Sequence, residues 1–402
     1  MSLRWIPPVY SPVTPGSLVA GLAAAVALRS DERRRLAAAL TTRYAATDAV
    51  LTDSGTSALV LALRSVIPKG GAVAVPAYAC IDLTSAALGS NVRVRLYDVD
   101  PLTLSPDLDS LRKTVARGVD AIVVAHLFGY AADVAGARRI ADEHGLPLIE
   151  DAAQGAGGSI FGQKLGSFGD LTILSFGRGK GLTGGSGGAL LVRGKRFSDA
   201  VIEAGANLPT GSTGLSDVTR LAAQWMLGRP TVYRLPASIP ALRLGEMVFR
   251  PPRPPRGISR AAATLVIGAI ALEDYELRVR RAHAAQILWS LRSTKVAPIH
   301  AIAQSEPGYL RLALLDRRGS VRSRRSLGIA RGYPMTLDQH AELQPLLVAG
   351  ERAGLGSVEL RDRLLTVPTH SHVHAPDVDH VVDALITVAN PGRDPVAALQ
   401  AF

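Results

Sequence analysis

The chain of 402 residues contains a single cysteine, Cys80. One thiol builds no disulfide framework and no cysteine-ligated zinc or iron–sulfur site, and it suits a reducing compartment, so a cytoplasmic protein is expected. Aromatic residues are scarce, at 5%, which argues against base stacking and against a nucleic-acid partner. Long apolar runs are missing as well. Gly16–Leu28, charge-free and near the start, is too short to span a bilayer comfortably. Pro7, Pro8, Pro12 and Pro15 precede it and no Ala-x-Ala-like site with a polar break follows, so it reads as a packed first helix and not a secretory signal. What is present is 47% hydrophobic residues, enough to bury a core and exclude bulk disorder. The length predicts two domains, or one large domain with an attachment. Lys and Arg outnumber Asp and Glu by 45 to 34, a net charge of +11 that draws phosphates: nucleic acid, anionic lipid or a phosphorylated small molecule.

Between Ala49 and Val192 short β-branched runs recur at Ala72–Val75, Val92–Leu96, Ala121–Ala125, Leu146–Ile149, Leu171–Leu174 and Ala189–Val192. They read as strands buried on both faces. Amphipathic stretches at Ser57–Val66, Ile81–Leu88, Leu108–Ala116 and Val134–His144 separate most of them. This alternation predicts an α/β fold with a parallel sheet covered by helices, whose ligands gather at the carboxyl ends of the strands. Composition shifts after Asp199. Leu221–Arg256 mixes Trp, Tyr, Met and Leu with arginine and ends in the stiff Pro251-Pro252-Arg253-Pro254-Pro255. Ala261–Ser290 reads as one long helix, and Pro298–Val388 as a smaller α+β domain. The expected division is residues 1–256, a large domain with an inserted segment at about 205–256, and residues 257–402, a small C-terminal domain.

Four segments stand at strand ends. Asp53-Ser54-Gly55-Thr56-Ser57 opens a helix with small residues, an arrangement that offers N–H donors to an anion or simply caps the helix. Glu150-Asp151-Ala152-Ala153-Gln154 follows an apolar strand; a carboxylate there is costly unless paired with a cation. Ser175-Phe176-Gly177-Arg178-Gly179-Lys180 places a lysine among glycines, and the glycine run Gly181–Gly188 comes next. Such a lysine is a nucleophile only where its neighbours lower its pKa.

Taken in order, SGTSAL, VPAYAC, YDVD, HLFG, EDAAQ, SFGRGK and GGSGG resemble the DegT/StrS-type aminotransferases, pyridoxal-phosphate (PLP) enzymes of fold type I, many of which act on nucleotide-linked keto-sugars. The resemblance implies a large, mostly parallel sheet domain with a smaller α+β C-terminal domain, a homodimer with shared active sites, and amino transfer from an amino acid, with glutamate expected, to a keto acceptor. It implies that Lys180 bonds to PLP and moves protons, that Asp151 pairs with the pyridine nitrogen, that Gly55, Thr56 and Ser175 hold the phosphate, and that Gln154 lies against the ring or its phenolic oxygen. Lysine at 180 also sets the chain apart from the dehydratase branch, where histidine stands.

Three departures surround this pocket. Cys80 replaces the aromatic that stacks on the ring, so either Tyr78 moves in or the ring face is less packed. Ser259 replaces an asparagine that reaches the partner's phosphate, with Arg260 able to compensate. Ser186 replaces a glutamate. They point to an unusual substrate, and they keep open other PLP chemistry (condensation or elimination) on a lipid-linked acceptor, or a non-catalytic regulatory role. His126 ends a strand, with structural and substrate-facing readings both open. Leu221–Arg256 covers the active site, packs on a partner subunit, or rests in a membrane interface. His370, His372 and His374 would share one face if their segment is a strand; no metal site is expected there.

Overall fold

The computed structural model describes residues 4–389, apart from 28–30, 210–211, 243, 245–246, 293, 295, 318 and 320. Among the described residues nine strands precede position 200: β1 (Asp48–Thr52), β2 (Ala72–Pro76), β3 (Arg93–Tyr97), β4 (Ala121–Ala125), β5 (Leu148–Asp151), β6 (Ser159–Ile160), β7 (Gln163–Lys164), β8 (Leu171–Ser175) and β9 (Gly188–Val192). Seven of them form one sheet in the order β1-β9-β8-β5-β4-β2-β3. The pairings from β8 through β5, β4 and β2 to β3 are parallel. β9 runs antiparallel to both β8 and β1. The reversal has a local cause: Phe176–Gly187, which joins β8 to β9, contains no helix to carry the chain back across the sheet. All six apolar runs are strands. β1, which they did not include, lies at the sheet edge and is mostly half-buried, so it lacks a continuous apolar stretch.

Alternate strand residues feed two cores. Val73, Val75, Val123 and Ile149 pack under helices Gly55–Val66 and Asp82–Ser90. Ala74, Ile122, Val124 and Leu148 pack under Leu108–Ala116 and Val134–Glu143. The period of two thus clothes both faces, and the strands' carboxyl ends open on one edge.

The expected long helix at 261–290 is two helices, Arg260–Ile270 and Glu273–Ser290. Acidic residues in the first turn of the second, Glu273, Asp274 and Glu276, favour a fresh start there, and buried Glu273 pairs with Arg43 and Lys164. The first helix packs Ala262, Ala263 and Val266 against Leu174, Phe176 and Leu191 of the large sheet region. Further on, β10 (Val296–Pro298), β12 (Leu312–Asp316), β14 (Leu364–Val367) and β13 (Ala330–Arg331) form an antiparallel sheet in that order, while β11 (Ser305–Glu306) pairs with β6. Helices Glu273–Ser290 and Ala375–Ala389 cover this sheet through Ile287, Val378, Val381 and Leu385, and Ile6 joins the same core. His370, His372 and His374 lie beyond β14 and are not in a strand; His370 is buried and donates from Nε2 to the Pro7 carbonyl at 2.9 Å.

The segment 221–256, of which 243, 245 and 246 lie outside the described residues, continues helix Leu215–Leu227, adds a short helical turn at Arg234–Ala237, and has no regular secondary structure from Pro251 to Arg256. Leu221 is buried against Val13, Ala25 and Leu265. Tyr233 is also buried, close to Arg178 of the Lys180 loop.

Candidate active site

The carboxyl ends of β4, β5 and β8 and the turn after β1 enclose a solvent-connected cleft of about 490 Å³ of empty space. Gly55, Thr56, Cys80, His126, Asp151, Gln154, Ser175 and Lys180 line it, together with Asp82.

After β1, Ser54 caps helix Gly55–Val66, its Oγ accepting the Ser57 N–H at 3.0 Å. The N–H groups of Gly55 and Thr56 have no partner within the helix and carry the positive end of its dipole. A Cβ at position 55 would stand 2.7 Å from the Ser175 Cβ, so only glycine lets the helix start meet the end of β8. Three separate pieces of chain, 54–57, 175 and the start of β9, converge here, since Ser54 also bridges Gly187.

Lys180 lies on the glycine-rich connection between β8 and β9. Gly179 and Gly181 on either side both have positive φ. The Gly179 N–H donates to Ser11 Oγ at 3.0 Å, and Gly184 N–H donates to the Phe176 carbonyl at 3.0 Å, which fixes the loop from both sides. Burial works against the Lys180 ammonium, but Cys80, Asp82 and Asp151 outweigh it and hold the amine's pKa above its ordinary value.

Asp151 ends β5. Burial pushes its carboxyl above the usual range, against the opposing pull of the Ala153 N–H, which donates to Oδ1 at 3.0 Å, and of Lys180 and His126. A desolvated carboxylate with one backbone donor favours a cationic neighbour. Cys80 Sγ lies 3.5 Å from Asp82 Oδ2, and its thiol is pushed up to about 12, chiefly by burial and then by Asp82. It is therefore a neutral, unreactive thiol at physiological pH.

His126 Nδ1 accepts the Ala132 N–H at 3.0 Å, so Nε2 carries the hydrogen and donates to Glu150 Oε1 at 2.8 Å. With both nitrogens engaged, the imidazole offers the cleft a ring and no free proton site. Glu150 also accepts N–H groups from Gly166, Phe168 and Gly169 at 2.6–2.8 Å. Burial raises its carboxyl pKa, but His126 and these amides outweigh that and hold it below the usual value.

Four further candidate residues do not line this chain's own cleft. Tyr78 does not move into the cleft: its side chain is fully buried and its hydroxyl accepts the Tyr333 N–H at 2.8 Å. Ser259 caps helix Arg260–Ile270, accepting the Ala262 N–H at 3.0 Å and donating to Asp217 Oδ2 at 2.6 Å, so its buried hydroxyl is fully used within its own chain. Arg260 donates to the Ala25 carbonyl at 3.5 Å. Ser186, half-buried in the glycine run, is not on the cleft wall. Conversely, Asp82 is on the wall and was not anticipated, although its place two residues after Cys80 at a helix start was visible.

Residues 22–204 match the model of the DegT/DnrJ/EryC1/StrS aminotransferase family. They form a domain of that family. An L-glutamine:2-deoxy-scyllo-inosose aminotransferase from Streptomyces fradiae is 31% identical over 255 residues, covering 63% of this chain and 55% of the relative, little more than half its length. Among solved structures, the sugar aminotransferase CalS13 from Micromonospora echinospora matches with a TM-score of 0.72 at 24% identity, over 95% of this chain and 99% of that one. The PLP-form of a putative sugar aminotransferase, Spr1654 from Streptococcus pneumoniae, matches with a TM-score of 0.74 at 17% identity, over 96% and 98%. The fold is thus that of these sugar aminotransferases, as expected. Every residue on the cleft wall belongs to the DegT/DnrJ/EryC1/StrS domain; the C-terminal part reaches the cleft only indirectly, through Tyr333 Oη, which lies 2.6 Å from Gln154 Nε2.

Proposed function

We propose that the chain is a PLP-dependent aminotransferase that moves an amino group from glutamate, or its amide glutamine, to a keto-sugar or a related cyclic ketone. The observation that carries this reading is the convergence of Lys180, Asp151 and the Gly55–Thr56 helix start, from three separated segments, on one cleft. The cleft suits PLP by its donor set: a helix start with N–H groups that have no partner within the helix and the Ser175 hydroxyl for a phosphate, a carboxylate for a ring nitrogen, and a primary amine for an aldehyde. When bound, the cofactor supplies an electron sink for the pair left at the donor's α-carbon. Asp151 favours a protonated ring nitrogen by its charge. Once Asp151 is paired with the ring nitrogen, one of the groups that raise the Lys180 pKa is engaged elsewhere, and Nζ serves as the covalent anchor and as the base that takes up and returns the proton at the α-carbon. The Gly55 and Thr56 amides with Ser175 anchor the phosphate. The inosose named for the Streptomyces fradiae relative supports a cyclic polyhydroxy ketone as acceptor, and the excess positive charge suits one bearing a phosphate or pyrophosphate.

We further assign the protein to the cytoplasm, on its single partly buried thiol, and to a homodimer. Exposed Val19, Leu22 and Val26, on a helix that packs beside Leu215–Leu227 with its exposed Leu215 and Met226, support an apolar interface. The rival use of this surface and of exposed Leu235 and Ile239 is peripheral membrane contact; no helix among the described residues is long and apolar enough to cross a membrane.

Reconstitution of the purified protein with PLP tests the function. A visible absorbance band that glutamate or glutamine bleaches, with release of the matching oxo-acid, is expected, and Lys180→Ala abolishes the band. A band that no amino donor changes would assign other PLP chemistry, and no band at all would sink the enzyme reading.

A further inference from the structure

We infer that Tyr333, outside the family-matched residues, is a positioning residue that fixes which edge of the Gln154 amide the cleft sees. Gln154 Oε1 lies 3.2 Å from the Phe128 backbone nitrogen and Nε2 lies 2.6 Å from Tyr333 Oη. A backbone N–H can only donate, so the atom facing Phe128 must be the carbonyl oxygen and the atom facing Tyr333 must be the nitrogen. The chemistry of the partners therefore settles the amide orientation, which is otherwise ambiguous for glutamine. Nε2 cannot accept, so the tyrosine oxygen accepts from it. One N–H of Gln154 remains, and Gln154 lines the cleft. The cleft is thus offered a donor, suited to an acceptor oxygen on the ligand.

The tyrosine is itself held from several sides. Its backbone N–H donates to Tyr78 Oη at 2.8 Å, and its ring lies 5.1 Å from that of Tyr78 and 5.2 Å from that of Phe128. A side chain at Gly332 would collide with the Tyr78 hydroxyl. Phe128 has φ +54°, a left-handed conformation that a bulky residue rarely adopts, and its N–H is the group that donates to Gln154 Oε1. Strain of this kind persists where the surroundings over-determine it, often next to a functional site. Tyr78, lost as a ring-stacking candidate, thus regains a role as the support of the residue that orients Gln154.

This inference rests on the proposed use of the cleft, with the remaining Gln154 donor meeting the phenolic oxygen of the cofactor ring. Tyr333→Phe keeps both ring contacts and removes the acceptor that holds Nε2. In the PLP-loaded enzyme the visible band should titrate with a midpoint moved up by about one pH unit, the size expected when a charged oxygen loses one hydrogen bond and a proton nearby is held more tightly. Gln154→Leu should move it at least as far, and the double variant no further than Gln154→Leu, as for two residues acting in one chain. Thermal unfolding of cofactor-free Tyr333→Phe, expected within a few degrees of the parent, separates this from loss of fold. An unchanged midpoint in Tyr333→Phe while Gln154→Leu shifts, or additive shifts, overturns the positioning role. Equal midpoints in parent and Gln154→Leu overturn it too, yet leave the aminotransferase reading intact if the band still depends on Lys180. If the parent forms no band, both fall.

Discussion

At the end of β5, Glu150 accepts three backbone N–H groups and pairs with His126, whereas Asp151, one residue on, has the Ala153 N–H and faces Lys180 across an open cleft. The alternation of a strand turns the two carboxylates to opposite sides. Glu150 is fully buried and Asp151 half-buried, and the surroundings push them apart: amides and imidazole hold Glu150 below the usual carboxylate range, and desolvation raises Asp151 above it. Scaffold and chemistry are thus separated across one peptide bond. The satisfied carboxylate ties strand β5 to the Gly166–Gly169 loop and orients His126. The under-satisfied one is kept ready for a cation, a cost in stability of the kind found at functional sites.

The contrast breaks most visibly at Glu150. Glu150→Ala leaves three buried amides and the imidazole without their acceptor and should cost about 3–5 kcal/mol in folding stability, read from the denaturant midpoint. Asp151→Asn should instead lower turnover of the loaded enzyme by about 10²–10³-fold, as for other lost electrostatic partners, while the cofactor-free protein is no less stable at neutral pH. A Glu150 effect confined to activity, or an Asp151 effect confined to stability, would erase the distinction. Titration sharpens it with opposite signs. The stabilisation from Glu150 is complete above its unfolded pKa and is lost as pH falls through its lower folded value. Between the ordinary carboxylate value and its own raised one, Asp151 holds a proton only in the folded chain, so its contribution to stability falls as pH rises through that window. Stability–pH curves for Glu150→Gln and Asp151→Asn should therefore depart from the parent in opposite directions. Gly55→Ala follows in size: the 2.7 Å approach to Ser175 should cost about 1–3 kcal/mol as overpacking and weaken PLP binding in an absorbance titration.

Local signals made much of this legible. The parallel strands, the helix start at Ser54–Gly55 and the lysine among glycines each depend on a few consecutive residues, and the cleft wall was found in them. What escaped depended on partners distant in the chain. Ser259 stands in a motif, yet its hydroxyl donates to Asp217, inside the inserted segment. Tyr78 had the right chemistry at the right strand end, but its ring points to Tyr333. Glu150 carries no local sign of its role, because the amides it binds, 16 to 19 positions on, form no pattern in the sequence. The break at Ala271–Leu272 was hidden because its flanks are each good helix, and the acidic first turn marks it only once a second helix is considered.

At smaller energies the contrast between satisfied and unsatisfied groups reaches the surface. Helix Pro15–Val26 buries Gly21, Ala24 and Ala25 and leaves Val19, Leu22 and Val26 in solvent. Gly21 is the contact point, since a Cβ there would lie 3.0 Å from Leu265. The exposed side chains contribute little to the fold of the single chain, so Leu22→Asp with Val26→Asp should change its stability by no more than about 0.5 kcal/mol per site. If they form the dimer interface, the same pair of substitutions shifts the protein from dimer to monomer in light scattering after gel filtration. A parent that is already monomeric and sediments with anionic vesicles, losing that property on Leu235→Asp and Ile239→Asp, would hand the surface to a membrane instead. The outcome turns on what apolar area outside the core is for: a buried residue such as Glu150 is explained by its own chain, whereas for a valine 72% exposed at position 26 these substitutions decide whether a second surface uses it.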